Sequence, residues 1–199
     1  MEHINGINYG FGGVELAEWQ AIQRLVRSGF TDLRVLGTMF AIVEGESGSY
    51  TRAFHCNVDR TLDENGNKDL IVRKVIDGVD HMHVNSVDLG FMQFNTDVPG
   101  PGAWIEMNRE PVAEFIDDMF AAEPWKADAQ ASSQRGYEMY LNRGFQPWYA
   151  YQPDEVRFQE KKRRAGKAIA NYYLRTQVPR LPIDNGRFAE VIFRQFAAN

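Results

Sequence analysis

The chain has 199 residues, 44% of them hydrophobic and 13% aromatic, and a formal net charge of −5. This length suits one main domain with a packed core, and the acidic balance argues against a protein that coats nucleic acid. No run of about 18 apolar residues is present to span a membrane, and the single Cys56 excludes an internal disulfide.

In chain order, residues 1 to 13 hold Gly6, Gly10, Gly12 and Gly13 around Tyr9 and Phe11, and read as a flexible arm. A phosphate loop at Gly10–Gly13 is excluded, since no strand precedes it and no Gly-Lys-Ser/Thr follows. The start of the chain carries neither the basic region nor the apolar stretch of a signal peptide. Leu16, Trp19, Ile22 and Val26 predict a helix from Val14 to about Ser28, stopped by Gly29.

A second helix starts near Thr31 or Asp32, either of which can cap it. Its apolar stripe is Leu33, Leu36, Met39, Phe40, Ile42 and Val43. At about 100° per residue, Glu46 falls on the face of Met39, Ile42 and Val43, while Glu44 lies about 200° away on the polar side. Residues 49 to 88 read as strands and loops, with Asn65-Gly66 a hairpin signal flanked by Leu70–Val72 and by the alternating run Val79–Val84. A calcium loop there fails, because its first and twelfth positions would be Thr61 and Val72.

Pro99-Gly100-Pro101-Gly102 is a break. Helices follow near Pro111–Ala122 and Asp128–Asn142, the second closed by Gly144, and Phe145 to Tyr151 form an aromatic turn. The basic run Lys161-Lys162-Arg163-Arg164 precedes helix-prone residues Ala165 to Gln177, and Pro179 and Pro182 lead to an apolar end, Phe188 to Phe196. The basic run reads as a solvated helix face or a docking patch for an acidic partner; nucleic-acid binding lacks the interleaved aromatics it needs. There is no internal repeat.

Two carboxylates carry the functional reading. Glu46, at the end of an apolar stripe, is desolvated and therefore held toward its protonated form. Asp88, among Asn85, Ser86, Gln93 and Asn95, has polar company that keeps it ionised. Two carboxyls whose pKa values are driven apart are what cleavage of a glycosidic bond requires. The blander alternative is a frayed helix-end glutamate and a turn-forming aspartate. A zinc site from His81, His83, His55 and Cys56 lacks any paired ligand motif, and Gly45-Glu46-Ser47-Gly48-Ser49 misses the serine-nucleophile elbow by one glycine.

Ala41 to Tyr50, AIVEGESGSY, followed by Ser86 to Asn95, SVDLGFMQFN, resembles the lysozyme superfamily, including chicken-type and phage lysozymes and the soluble lytic transglycosylases. The shared pieces are Glu46-Ser47 at a helix end and Gly90-Phe91-Met92-Gln93-Phe94, with Arg143 to Tyr151 similar to the later part of phage lysozyme-like domains. The likeness covers residues 32 to 151. It implies a mainly helical α+β, lysozyme-like domain over 32–151, with a small antiparallel sheet lining a glycan cleft. An N-terminal arm and helix (1–31) and a C-terminal helical arm (152–199) would flank it.

It further implies a muramidase that hydrolyses the bond between N-acetylmuramic acid and N-acetylglucosamine in peptidoglycan. Glu46 would be the general acid and Asp88 the nucleophile or electrostatic partner. Ser47, Gln93, Asn95, Trp148 and Tyr151 would be substrate-side residues, Trp148 also being a core candidate. No cofactor or metal is implied. A phage product fits, borne on the virion or held in the host cytoplasm before lysis, with the arms docking on tail or other virion proteins. The alternatives are a lytic transglycosylase using Glu46 alone and an inactive structural or glycan-binding virion protein. The acids lie 88 − 46 = 42 positions apart, well beyond the compact chicken-type spacing, so an inserted hairpin or longer sheet is expected between them.

Overall fold

The computed structural model describes residues 9–62, 64–66 and 68–177. Residues 1–8 of the expected arm, Pro179, Pro182 and the apolar end Phe188 to Phe196 lie outside the described residues. Strands are β1 Tyr9–Gly10, β2 Phe54–Val58, β3 Arg60–Leu62, β4 Lys68–Ile71, β5 Arg73–Ile76, β6 Val79–Leu89, β7 Phe94–Asp97 and β8 Ala103–Glu106. Helices are α1 Glu18–Ser28, α2 Leu33–Glu46, α3 Arg109–Ala122, α4 Ala129–Arg143 and α5 Val156–Gln177, with a 3₁₀ turn at Pro124–Lys126.

Helix α2 begins where its sequence dictates. The Asp32 carboxylate accepts from Arg34 N at 2.9 Å and Val35 N at 3.0 Å, satisfying two otherwise orphaned donors. Leu36 to Val43 are then buried. Asp128 caps α4 in the same way, through Gln130 N and Ala131 N. Helix α1 starts later than its periodicity predicts. Val14 N donates to the Thr51 hydroxyl and Leu16 N to Ser49 O, so those residues pair with the chain after α2 instead of winding.

The sheet is antiparallel, and β6 is its axis. One edge of this 11-residue strand pairs with β2 and β5, the other with β7 and β8. β1 extends the sheet beyond β2, so Tyr9 and Gly10, read as flexible arm, are ladder residues. β3 and β4 form a separate two-stranded ribbon around the Asn65-Gly66 turn. The hairpin joining β5 to β6 turns at Asp77 (φ 50°) and Gly78 (φ 80°), a two-residue loop with both central residues left-handed.

These pairings correct the expected architecture. The fold is α+β, but not mainly helical with a small sheet: among the described residues a six-stranded curled sheet stands beside five helices, with about 48% helix and 22% strand. Between Phe54 and Glu106 the chain makes one hairpin after another, and much of that surface is exposed, so few of its strands show a clean alternating pattern.

Among the described residues there are two hydrophobic cores. One joins α1, α2, α4 and α5, and includes Phe40, Ile42, Phe158, Ala165 and Ile169. The other lies between the sheet and α3, with Cys56, Met82, Val84, Val87 and Leu89 facing Val112, Ile116 and Phe120. The segments read as flanking arms therefore supply α1 and α5 to the first core. Phe91 and Met92, in the turn after β6, insert into that helical core and lock the sheet to the helices.

Candidate functional site

β6 changes phase halfway along. Met82 and Val84 face the core, and so do Val87 and Leu89, although the two sets have opposite parity. The change occurs where the register with β2 slips: Asn57 pairs with Ser86 but Val58 pairs with Val84, leaving Asn85 unmatched. This is a β-bulge, a device that re-aims the following side chains. As a result Ser86 and Asp88 continue the open face that His81 and His83 began. The two consecutive polar residues Asn85-Ser86 mark the slip in the sequence.

Past the bulge, the ladder places His55, Asp88 and Asn95 side by side on β2, β6 and β7, and Asn57, Ser86 and Asp97 in the next row. Asp88 Oδ1 accepts from Asn95 Nδ2 at 2.8 Å, and Oδ2 accepts from Asn57 Nδ2 at 3.1 Å. His55 Nδ1 stands 3.6 Å from Oδ2. Ser86 Oγ accepts from both asparagines and fixes their amides. Partial burial pushes the Asp88 carboxyl up, but His55, Asn95 and Asn57 outweigh it and hold the group below the usual carboxylate range.

Glu46 ends α2 beside this cluster. Its Oε1 accepts from Ala150 N at 2.7 Å, across 104 positions of chain. Gly45 makes that approach possible, because a Cβ there would stand 2.6 Å from Ala150 Cβ. Burial raises the Glu46 pKa; the Ala150 N–H opposes this, the negative charge of Asp88 adds to it, and His55 and Lys161 oppose it. The charge of Asp88 thus adds to the upward push on Glu46, and the shifts of the two carboxyls run in opposite directions.

Glu44 is less different from Glu46 than helical phase predicts. Helix α5 covers it, with Arg164 Nη2 3.4 Å from its carboxylate, and burial raises its pKa against the pull of that arginine. Part of the basic run is thus engaged by acids of this chain: Arg164, though exposed, also reaches Glu18, and Lys161 acts on both glutamates.

The other residues expected to touch substrate divide by what already engages them. Ser47 is buried; its hydroxyl donates to Val43 O at 3.1 Å and accepts from Ser49 N at 3.2 Å, which shapes the helix end. Gln93 has φ 50°, and its Nε2 donates to Gly90 O at 2.8 Å and Ala53 O at 3.0 Å, stapling the turn. Trp148 is buried, with Nε1 donating to Met92 O at 3.2 Å. Tyr151 packs between Phe145 and Phe158, at ring separations of 5.2 Å and 5.7 Å. Asn95 alone of this group contacts an acid directly.

Gly90 explains much of the Gly-Phe-Met-Gln-Phe block. Its φ is 81°, and a Cβ would lie 1.9 Å from Lys126 O, so only glycine fits. Lys126 is itself buried, at 2% exposure. Its ammonium donates to Phe94 O at 3.3 Å, Asn95 O at 3.0 Å and the Thr96 hydroxyl, and pairs with Glu123 at 2.7 Å. It therefore fixes the backbone of β7 beneath Asn95.

Sequence reasoning missed His55 and Asn57 as carboxylate partners, Lys126 as a clamp and Ala150 as a donor. Only the first two had a signal: they are polar residues in alternation around Cys56. Cys56 points into the sheet core, where burial pushes its thiol up to about 12. It thus lies on the face opposite His81 and His83, and among the described residues no group of three or more His, Cys, Asp and Glu is placed to hold a metal ion. Among them also, no helix is long and apolar enough to cross a membrane. No protein-family model, curated protein or solved structure matches the chain.

Proposed function

We propose that the chain is a glycosidase that hydrolyses the glycan strand of peptidoglycan between N-acetylmuramic acid and N-acetylglucosamine. The observation that carries this reading is a pair of carboxyls in contrasting settings, Glu46 half-buried with one backbone donor and held toward its acid form, Asp88 held by Asn57, Asn95 and His55 toward its anion. The likeness of the Glu46-Ser47 and Gly90–Phe94 blocks to the lysozyme superfamily supports the same chemistry.

In this mechanism Glu46 protonates the leaving glycosidic oxygen. Because Oε1 accepts the Ala150 N–H, the acidic proton sits on Oε2. As the bond breaks, positive charge develops at the anomeric carbon, and ionised Asp88 stabilises it electrostatically or by covalent capture. A water then attacks that carbon, gives its proton to the Glu46 carboxylate and releases the sugar as the reducing end, restoring both acids. Asn57, Asn95 and His55 keep Asp88 charged and oriented before substrate arrives. This investment in a second carboxylate favours hydrolysis over transglycosylation, which uses the glutamate alone.

Incubation with purified peptidoglycan, read by reducing ends and product masses, tests the proposal. The wild type is expected to release reducing muropeptides, and Glu46→Gln to lose activity by about 10²- to 10⁴-fold, the range of general acid catalysis. No release by the wild type sinks the enzyme reading in favour of a glycan-binding protein. Anhydro-muramyl products convert it to a lytic transglycosylase. A phage virion setting belongs to the same reading, and mass spectrometry of purified particles tests it.

A further inference from the structure

The open face of β6 continues past the acid pair. His83, on the same face, is opposite Trp104 of β8, and His81 lies between Lys74 of β5 and Glu106 of β8. Five steps along the strand, one of them in the bulge, carry the chain from His83 to Asp88, about 16 Å at 3.3 Å per step. The intervening row, Asn57, Ser86 and Asp97, is entirely polar.

Trp104 is 38% exposed. The ring is braced: it leans on His83 at a centroid distance of 4.9 Å, and the Lys74 ammonium lies 5.6 Å from its centroid. His83 is held in turn by Asp59 Oδ2 at 2.7 Å from Nδ1, and Asp59 Oδ1 accepts from Asn85 at 2.6 Å. Gly102, with φ 93°, closes on His83, since a Cβ there would come within 2.8 Å of the ring. An exposed indole fixed by neighbours loses little entropy when it is covered.

We propose that Trp104 and Lys74 form a distal subsite for the same polymer, holding a sugar ring several residues along the strand from the bond that is cut. The inference rests on the glycan reading above and extends it to substrate length and charge. The apolar face of a pyranose stacks on the indole, and the Lys74 ammonium meets a carboxylate of the lactyl or peptide substituents. The polar row between receives hydroxyl and amide groups. Trp104 is isolated among polar neighbours, which suits a sugar better than a hydrophobic protein partner. Asp59, Asp88, Asp97 and Glu106 on or beside this face repel a nucleic acid.

The test uses the full chain carrying Glu46→Gln, so that ligand is bound without being cut. Calorimetry is run with soluble uncrosslinked peptidoglycan strands of increasing length and with neutral N-acetylglucosamine oligomers. Affinity is expected to rise with length until the distal subsite is filled. Trp104→Ala removes that rise, weakening long strands by several-fold to about tenfold, while Trp104→Phe keeps most of it. Lys74→Glu, which leaves the His83 brace of the indole in place, weakens carboxylate-bearing strands more than neutral oligomers. If Glu46→Gln binds long strands and Trp104→Ala binds them equally well, the distal subsite is wrong and the glycan reading stands. If Glu46→Gln binds neither short nor long oligomers, both are overturned.

Discussion

Glu46 and Asp88 begin with nearly the same carboxyl chemistry and are separated by their surroundings. Glu46 ends an apolar helix and has one backbone donor, whereas Asp88 has two amides and an imidazole. In the proposed mechanism Asp88 is ionised and Glu46 protonated, so the working window lies between the lowered and the raised pKa. Asn95→Ala removes a donor to the anion and is expected to move the acid limb of the pH–rate profile upward, leaving the alkaline limb in place. His55→Ala removes the imidazole that favours the ionised form of both acids, so both limbs are expected to move to higher pH. A pH–rate series on peptidoglycan reads the two patterns, and an unmoved acid limb in both variants would exclude Asp88 as the group it reports. Stability follows the same sign. The folded pKa of Asp88 lies below its unfolded value of about 3.9, so its contribution is present above that pH and is lost as pH falls through the folded value. Asn95→Ala therefore shallows the fall of stability on the acid side, which denaturant melts at several pH values will show.

At the scale of elements, the site depends on how β6 and β7 are seated. The bulge at Asn85 turns Asp88 to the open face, and Lys126 pins β7 from behind. Lys126→Met takes the ammonium away from the Phe94 and Asn95 carbonyls and from the Thr96 hydroxyl, which still donates to Glu123, and leaves Glu123 without its cation. The expected cost is about 2–4 kcal/mol in urea unfolding, at the lower part of the range for broken buried pairs because Glu123 remains partly solvated. The same variant loosens Asn95, so activity at low pH falls more than activity near the optimum. Local signals set several elements plainly: the apolar stripe and Asp32 made α2 legible, and Asp128 and Gly144 bounded α4. Asp77-Gly78 carries the same two-residue hairpin signal as Asn65-Gly66. Lys126 could not be read at all. A lysine after Pro-Trp has the composition of surface, and its burial follows only from β7 passing over it.

Across the whole molecule, α5 is part of the foundation of the site. Phe158, Ala165, Ala168 and Ile169 complete the core beneath α2, and Lys161 and Arg164 reach the glutamates at its end. A chain ending at residue 155 is expected to lose its cooperative thermal transition, since α2 would expose the face that carries Glu46; circular dichroism on heating checks this. The amino-acid sequence by itself determined the helical phase that buries Glu46, the polar company of Asp88 and the absence of an internal disulfide, because each depends on residues near one another in the chain or on composition. Only the tertiary structure decided that the sheet is large, that His55 and Asn57 come from β2 to meet Asp88, and that Ala150 and Lys161 flank Glu46. Those contacts join positions dozens to more than a hundred residues apart. The register of strands and the packing of α5 bring them together, and no local pattern encodes which distant polar groups will meet.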